Sequence, residues 1–101
     1  MSEAACRIDV WLWRARFAKT RTVAATMVEK GAIRLTHHGQ QVRLDKASRS
    51  VHPGDRLVFA LGGRLFDLEV LALGERRGPP EEARALYALI AEGRTHPPGA
   101  A

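Results

Sequence analysis

Residues 7–35, RIDVWLWRARFAKTRTVAATMVEKGAIRL, decide the fold. Ile8, Trp11, Leu12 and Ala15 recur at helical spacing and predict a first helix, with Trp13 and Phe17 on its far side. A helix apolar on so many sides is expected to be packed from more than one direction. Ala18 and Lys19 form a short joint, and Thr20 is a good N-cap for a second helix, because its hydroxyl can accept from a backbone N–H one turn on. Val23, Ala24, Met27 and Val28 supply the buried stripe of that helix. Gly31 ends it as a left-handed cap, with Lys30 favourably placed in the last turn. Ala32–Leu35 then begins a strand.

Outward from this stretch the pattern turns to strands. Gln41–Leu44 is a second strand, reached through a turn at His37-His38-Gly39. Val51-His52-Pro53-Gly54-Asp55 is a further turn signal. Leu57, Phe59 and Leu61 alternate, as do Phe66, Leu68 and Val70, and Gly62-Gly63 between them predicts a hairpin. A last helix is expected from Pro80 to Glu92, started by the prolines, favoured by Glu81 and Glu82 at its positive end, and stopped by Gly93. Its stripe is Ala83, Leu86, Leu89 and Ile90. The expected fold class is α+β: two short helices packed on a small, mostly antiparallel sheet, plus a C-terminal helix. The expected division is a disordered lead (1–6), a domain (7–74), a helical segment packed on it (75–93) and a flexible tail (94–101).

The 101 residues carry a net charge of +5, unevenly spread. Ten Lys/Arg against four acids make residues 1–50 +6, while six against seven make residues 51–101 −1. Charge alone leaves two readings open, a polyanionic partner or basicity serving solubility. The cations concentrate in the helical stretch. Lys19, Thr20, Arg21 and Thr22 gather at the start of the second helix, where outward N–H groups and the helix dipole favour an anion. Arg7 and Arg14, seven residues apart, share one flank of the first helix, while Arg16 lies half a turn away. Lys46, Ser48 and Arg49 form a second polar-basic group. Each alone is an ordinary solvated charge; jointly they suit phosphates.

Other chemistries find less support. Helical spacing, beside Ile8 and Leu12, assigns Trp11 to packing rather than base stacking; packing is the preferred reading of Trp13 too, with less support from its position. Of the four histidines, His37, His38, His52 and His96, the adjacent His37 and His38 lack metal-site spacing and have no Cys or acid pair fixed nearby, so no metal and no cofactor are expected. Asp9 beside Arg7 is expected to cap or pair rather than act as a base. No P-loop, Ser/His/Asp set or CxxC is present, so no enzyme is expected. Cys6 is the one cysteine, which excludes an internal disulfide. No apolar run approaches the roughly 20 residues of a membrane span. With no signal-peptide pattern, the cytoplasm is expected.

Residues 7–35 resemble the S4 RNA-binding domain, or αL motif, through Arg7, Ile8, Asp9, Trp11, Leu12, Arg16, Phe17, Lys19, Thr20, Arg21, Ala24, Val28, Gly31 and Ile33. Ser48 to Asp55 is similar to that family's later signature. Within it, WLWRARFAKTR (11–21) and ERRGPPEEARALY (75–87) resemble the heat shock protein 15 branch. The resemblance covers roughly residues 7–90. It implies a stress-linked protein that holds structured ribosomal RNA on its helical face; taken with the charge pattern, a non-catalytic role is expected, with Arg7, Arg14, Arg16, Lys19, Thr20, Arg21, Thr22, Lys46, Ser48 and Arg49 as the contacts. It further implies the large ribosomal subunit and peptidyl-tRNA as partners, in rescue of stalled subunits. DNA is a second polyanion that a phosphate-reading face would accept. A monomer is the default. The alternatives are a free accessory module for an RNA-modifying enzyme and a protein-interaction module with an incidental basic face. Three departures stand out: Val10 replaces a cation common in that branch, the His37-His38-Gly39 loop is longer, and a basic C-terminal extension is missing.

Overall fold

The computed structural model describes residues 4–94. The elements run β1 (Cys6–Arg7), α1 (Ile8–Arg14), α2 (Arg21–Glu29), β2 (Ile33–His37), β3 (Gln40–Leu44), β4 (Ser50–Val51), β5 (Arg56–Leu61), β6 (Arg64–Val70), α3 (Pro80–Arg84) and β7 (Tyr87–Arg94). Five strands form one antiparallel sheet in the order β3-β2-β5-β6-β7, and β1 pairs with β4 in a small separate ribbon. This is the expected α+β arrangement. The core lies between helices and sheet: Ile8, Trp11 and Leu12 of α1 and Ala24 and Val28 of α2 close over Ile33, Leu35, Leu57, Phe59 and Leu68.

The αL segment follows its local chemistry, with some shifts. Thr20 caps α2, its Oγ1 accepting from Val23 N–H at 3.0 Å. Gly31 has φ +74, the left-handed value its position requires. Val23, expected in the stripe, is instead 47% exposed; Ala24 and Val28 do the packing. The first helix is shorter than its pattern, because Arg16 takes φ +66 and turns the chain back. Phe17 N–H then bonds to Leu12 O, and the Phe17 ring packs between Phe59, Phe66 and Tyr87, with centroids 4.9–5.3 Å away, rather than on the far side of a helix. Cys6, expected in a disordered lead, pairs with Val51. His37 ends β2, so the turn narrows to His38 and Gly39, at φ +50 and +80. That is the backbone of a two-residue hairpin loop, as is Gly62-Gly63 between β5 and β6.

The largest departure is at the C-terminal end. α3 starts at Pro80 as expected but stops at Arg84, and residues 87–94 are a strand. The reason lies in the partners. The Leu86 carbonyl accepts from Leu71 N–H (2.8 Å) and Ala72 N–H (3.2 Å), so it is not available to continue the helix. Without β7, β6 would present a bare edge of unpaired backbone groups. β7 covers it from Tyr87 to Arg94, with a slip that puts Asp67 opposite Ala91 but Leu68 opposite Leu89. Ala83 and Leu86 are buried, while Leu89 and Ile90 are half exposed rather than on a helical stripe. The tail expected beyond Arg94 lies outside the described residues.

Candidate nucleic-acid interface

The start of α1 has no side-chain cap on its N-cap residue, Arg7. A loop supplies the acceptors instead: Ile8 N–H donates to Arg49 O at 2.7 Å and Asp9 N–H to Ala47 O at 3.3 Å. Arg7 pairs with Ser50 across β1 and β4, so the 46–50 loop is fastened to the end of the helix. Lys46, Ser48 and Arg49 stand exposed on that loop. Asp9 is buried; its carboxylate accepts from Val10 N–H and takes Arg7 Nε and Nη2 at 3.1 and 2.9 Å. This bidentate pair orients Arg7, whose side chain remains half exposed.

Lys19, Thr20, Arg21 and Thr22 are all exposed at the start of α2. The Thr20 cap satisfies Val23 N–H, and the N–H groups of Arg21 and Thr22 lie in the turn that has no intrahelical acceptor. The flank of α1 reaches Cys6. Arg14 Nη1 is 3.8 Å from its sulfur. Burial pushes the Cys6 thiol up, Arg14 pulls it down, Asp9 adds to the rise, and Arg21 draws it down again. Burial, the largest of these effects, favours the neutral thiol.

Two of the expected contact residues have partners within the fold. Arg14 Nη1 donates to Gly74 O at 2.8 Å and Leu73 O at 3.4 Å, and its Nε is closed off from solvent. Arg16 Nε donates to Gly78 O at 2.7 Å. Trp11 Nε1 donates to Ala72 O at 2.9 Å on the same crossing segment, with its ring wholly buried. The structure thus brings Arg7, Lys46, Ser48 and Arg49 together at one end of α1, sets Lys19–Thr22 exposed at α2, and turns Arg14 and Arg16 toward residues 73–78.

Arg34 and Arg43 were not among the expected contacts. They stand directly opposite each other on β2 and β3, both exposed. Like charges in that position repel, and neither makes an ion pair among the described residues. The two-residue turn at His38-Gly39, with strict alternation on either side, would have placed them opposite each other from sequence. Among the described residues no helix is long and apolar enough to cross a membrane.

The model of the S4 domain family matches residues 6–57. The heat shock protein 15 homolog of Haemophilus influenzae is 37% identical over 87 residues, 86% of this chain and 63% of the relative. The heat shock protein 15 of Escherichia coli K12 is 38% identical over 85% of this chain and 61% of its own length. The chain therefore spans somewhat under two thirds of these relatives. The RQC P-site tRNA stabilizing factor of Listeria monocytogenes is 34% identical over 88% of this chain and 90% of that protein. Among solved structures, the trimeric heat shock protein 15 of Vibrio cholerae aligns with TM-score 0.75 and 34% identity, covering 87% of this chain and 84% of that one. The family match takes in β1 through the start of β5, the same span that carries the exposed cations and the capped α2, and on these grounds the chain belongs to the S4 domain family.

Proposed function

We propose that this protein is a non-catalytic, cytoplasmic RNA-binding protein that docks on structured RNA of the large ribosomal subunit and contacts peptidyl-tRNA there, as in rescue of stalled subunits. The observation that carries it is the exposure of Lys19, Arg21, Lys46 and Arg49, in a family member whose neighbouring cations Arg14 and Arg16 are held by the fold. Lys19, Arg21, Lys46, Arg49 and the half-exposed Arg7 neutralise phosphates. Thr20, Thr22, Ser48 and the outward N–H groups of α2 position one of them. Double-helical RNA is then read by shape and backbone, in keeping with the burial of Trp11. Two groups of relatives support the setting, one named heat shock protein 15 and the other RQC P-site tRNA stabilizing factor. The trimer belongs to the Vibrio cholerae relative; we take the present chain to bind as a monomer.

Sedimentation of tagged protein with separated ribosomal subunits tests this. Co-migration with the large subunit, reversed by added salt, is expected. Failure to migrate with either subunit, with or without stalled chains, would overturn the docking claim. Equal affinity for duplex DNA of the same length would extend the partner class to polyanions in general.

A further inference from the structure

The fold gathers three metal-ligating side chains that are far apart in sequence. His37 at the end of β2, and His52 and Asp55 in the turn before β5, place one ligand atom each within 4.8 Å of one another. Asp55 is buried, and its two oxygens are divided between the histidines. Oδ1 lies 2.5 Å from His37 Nδ1, while Oδ2 accepts from the His52 backbone N–H at 2.9 Å and lies 3.5 Å from His52 Nδ1. The His37 and His52 rings are 4.8 Å apart. One feature is not explained by hydrogen bonding within the protein: His52 Nδ1 is closed off from solvent and makes no hydrogen bond. A buried polar nitrogen left in this way is costly.

We propose that His37, His52 and Asp55 bind one divalent transition-metal ion of the zinc class. Two imidazole nitrogens and one carboxylate oxygen are a donor set that suits zinc and excludes magnesium and calcium, which take oxygen shells. A tetrahedral ion about 2.0–2.1 Å from its ligands needs them roughly 3.3 Å apart. Asp55 Oδ2 and His52 Nδ1, 3.5 Å apart, are near that spacing; Asp55 Oδ1 and His37 Nδ1, 2.5 Å apart, would open by less than an ångström; and the ligand atoms, which span up to 4.8 Å, would draw together by about 1.5 Å so that one Asp55 oxygen serves both histidines. Three protein ligands leave a fourth position open. Both histidines line a cleft of about 360 Å³, with Leu35, Ser48, Arg49 and Ser50, from which water or an anion would complete the shell. The ion would tie the end of β2 to the turn between β4 and β5. His38 stacks on His37, with centroids 3.9 Å apart, but is exposed and outside the donor set.

The test is a cobalt(II) titration of the metal-stripped full chain, followed by visible absorption and then by zinc competition. Saturation at one equivalent with the intense bands of a tetrahedral centre is expected, as is a rise in Tm of roughly 5 °C in excess zinc. His52→Gln and His37→Gln should each weaken affinity by at least about 10- to 100-fold. The double variant His38→Ala, His96→Ala should keep the wild-type spectrum. Circular dichroism confirms that each variant is folded before titration. Octahedral spectra only, unchanged affinity in folded His52→Gln, or loss of binding in the His38/His96 variant would overturn the proposal.

Discussion

Arg14 and Arg21 both influence the thiol of Cys6, yet they sit in opposite circumstances. Arg14 is covered by residues 73–74 and donates to their carbonyls; Arg21 is exposed on the first turn of α2. The contrast extends to the regions around them. Residues 19–22 at the start of α2 and Lys46 and Arg49 on the loop beside α1 leave their cations in water. The seam where α1 meets residues 71–78 turns Trp11, Arg14 and Arg16 into hydrogen-bond donors to one crossing strap of backbone. Arg14 is the covered cation, and a desolvated charge must find protein partners; Arg16 donates to Gly78 O although it is itself exposed. The residue type does not decide which arginine the fold holds.

Trp11→Ala attacks the seam most severely. It opens a cavity at the centre of the core and leaves the Ala72 carbonyl without its donor. The expected loss is about 3–5 kcal/mol, a large part of the stability of so small a domain, read as a drop in urea midpoint. RNA binding should fall only in step with the unfolded fraction. The triple variant Lys19→Ala, Arg21→Ala, Arg49→Ala attacks the exposed cations. It should leave the urea midpoint nearly unchanged, weaken RNA binding, and reduce the slope of log affinity against log salt by roughly two to three. An unchanged slope would show that these three cations touch no phosphate. Arg14→Ala should divide cleanly from Arg21→Ala. The first is expected to destabilise by about 1–2 kcal/mol, by releasing the 73–74 carbonyls, with little change in RNA affinity once folded. The second should do the reverse.

The division between the regions also marks where the sequence could be read. Within residues 7–70 the information is local: 3.6-residue spacing in α1 and α2, the Thr20 cap, the left-handed Gly31, and alternation around Gly62-Gly63. Each of these rests on neighbours a few residues away. Residues 87–94 are not legible in this way, because a short apolar run fits either period and the deciding partners on the edge of β6 lie 17 to 30 residues away in the chain. The role of Arg14 was hidden for the same reason, since its acceptors lie 59 and 60 residues on. The cluster of His37 with Asp55 spans 18 residues and two elements, so no spacing rule could have found it. Arg34 opposite Arg43 was recoverable, because the hairpin turn fixes that register.

Arg56 and Asp67 on the outer sheet supply the smallest effect and a control for both regions. The Arg56 guanidinium donates to Asp67 from Nε at 2.7 Å and from Nη2 at 2.5 Å, diagonally across β5 and β6. That hydrogen bonding holds the Asp67 carboxyl below its ordinary value of 3.8, against a smaller opposing effect of burial, and raises the already high Arg56. The sign follows from linkage. A carboxyl whose folded value is lowered contributes stability above its unfolded value, and that contribution is lost as pH falls through the folded one. Asp67→Asn should therefore lower Tm slightly at pH 7, by about 2 °C or less for an exposed pair, and the two melting curves should converge below pH 3.8. High salt should shrink the difference at pH 7 as well. Glu69 stands directly opposite Arg56 and can take over part of the pairing, which limits the loss further. A large effect at pH 7, or a difference that persists in acid, would mean that Asp67 acts through packing of the β5–β6 hairpin rather than through its charge.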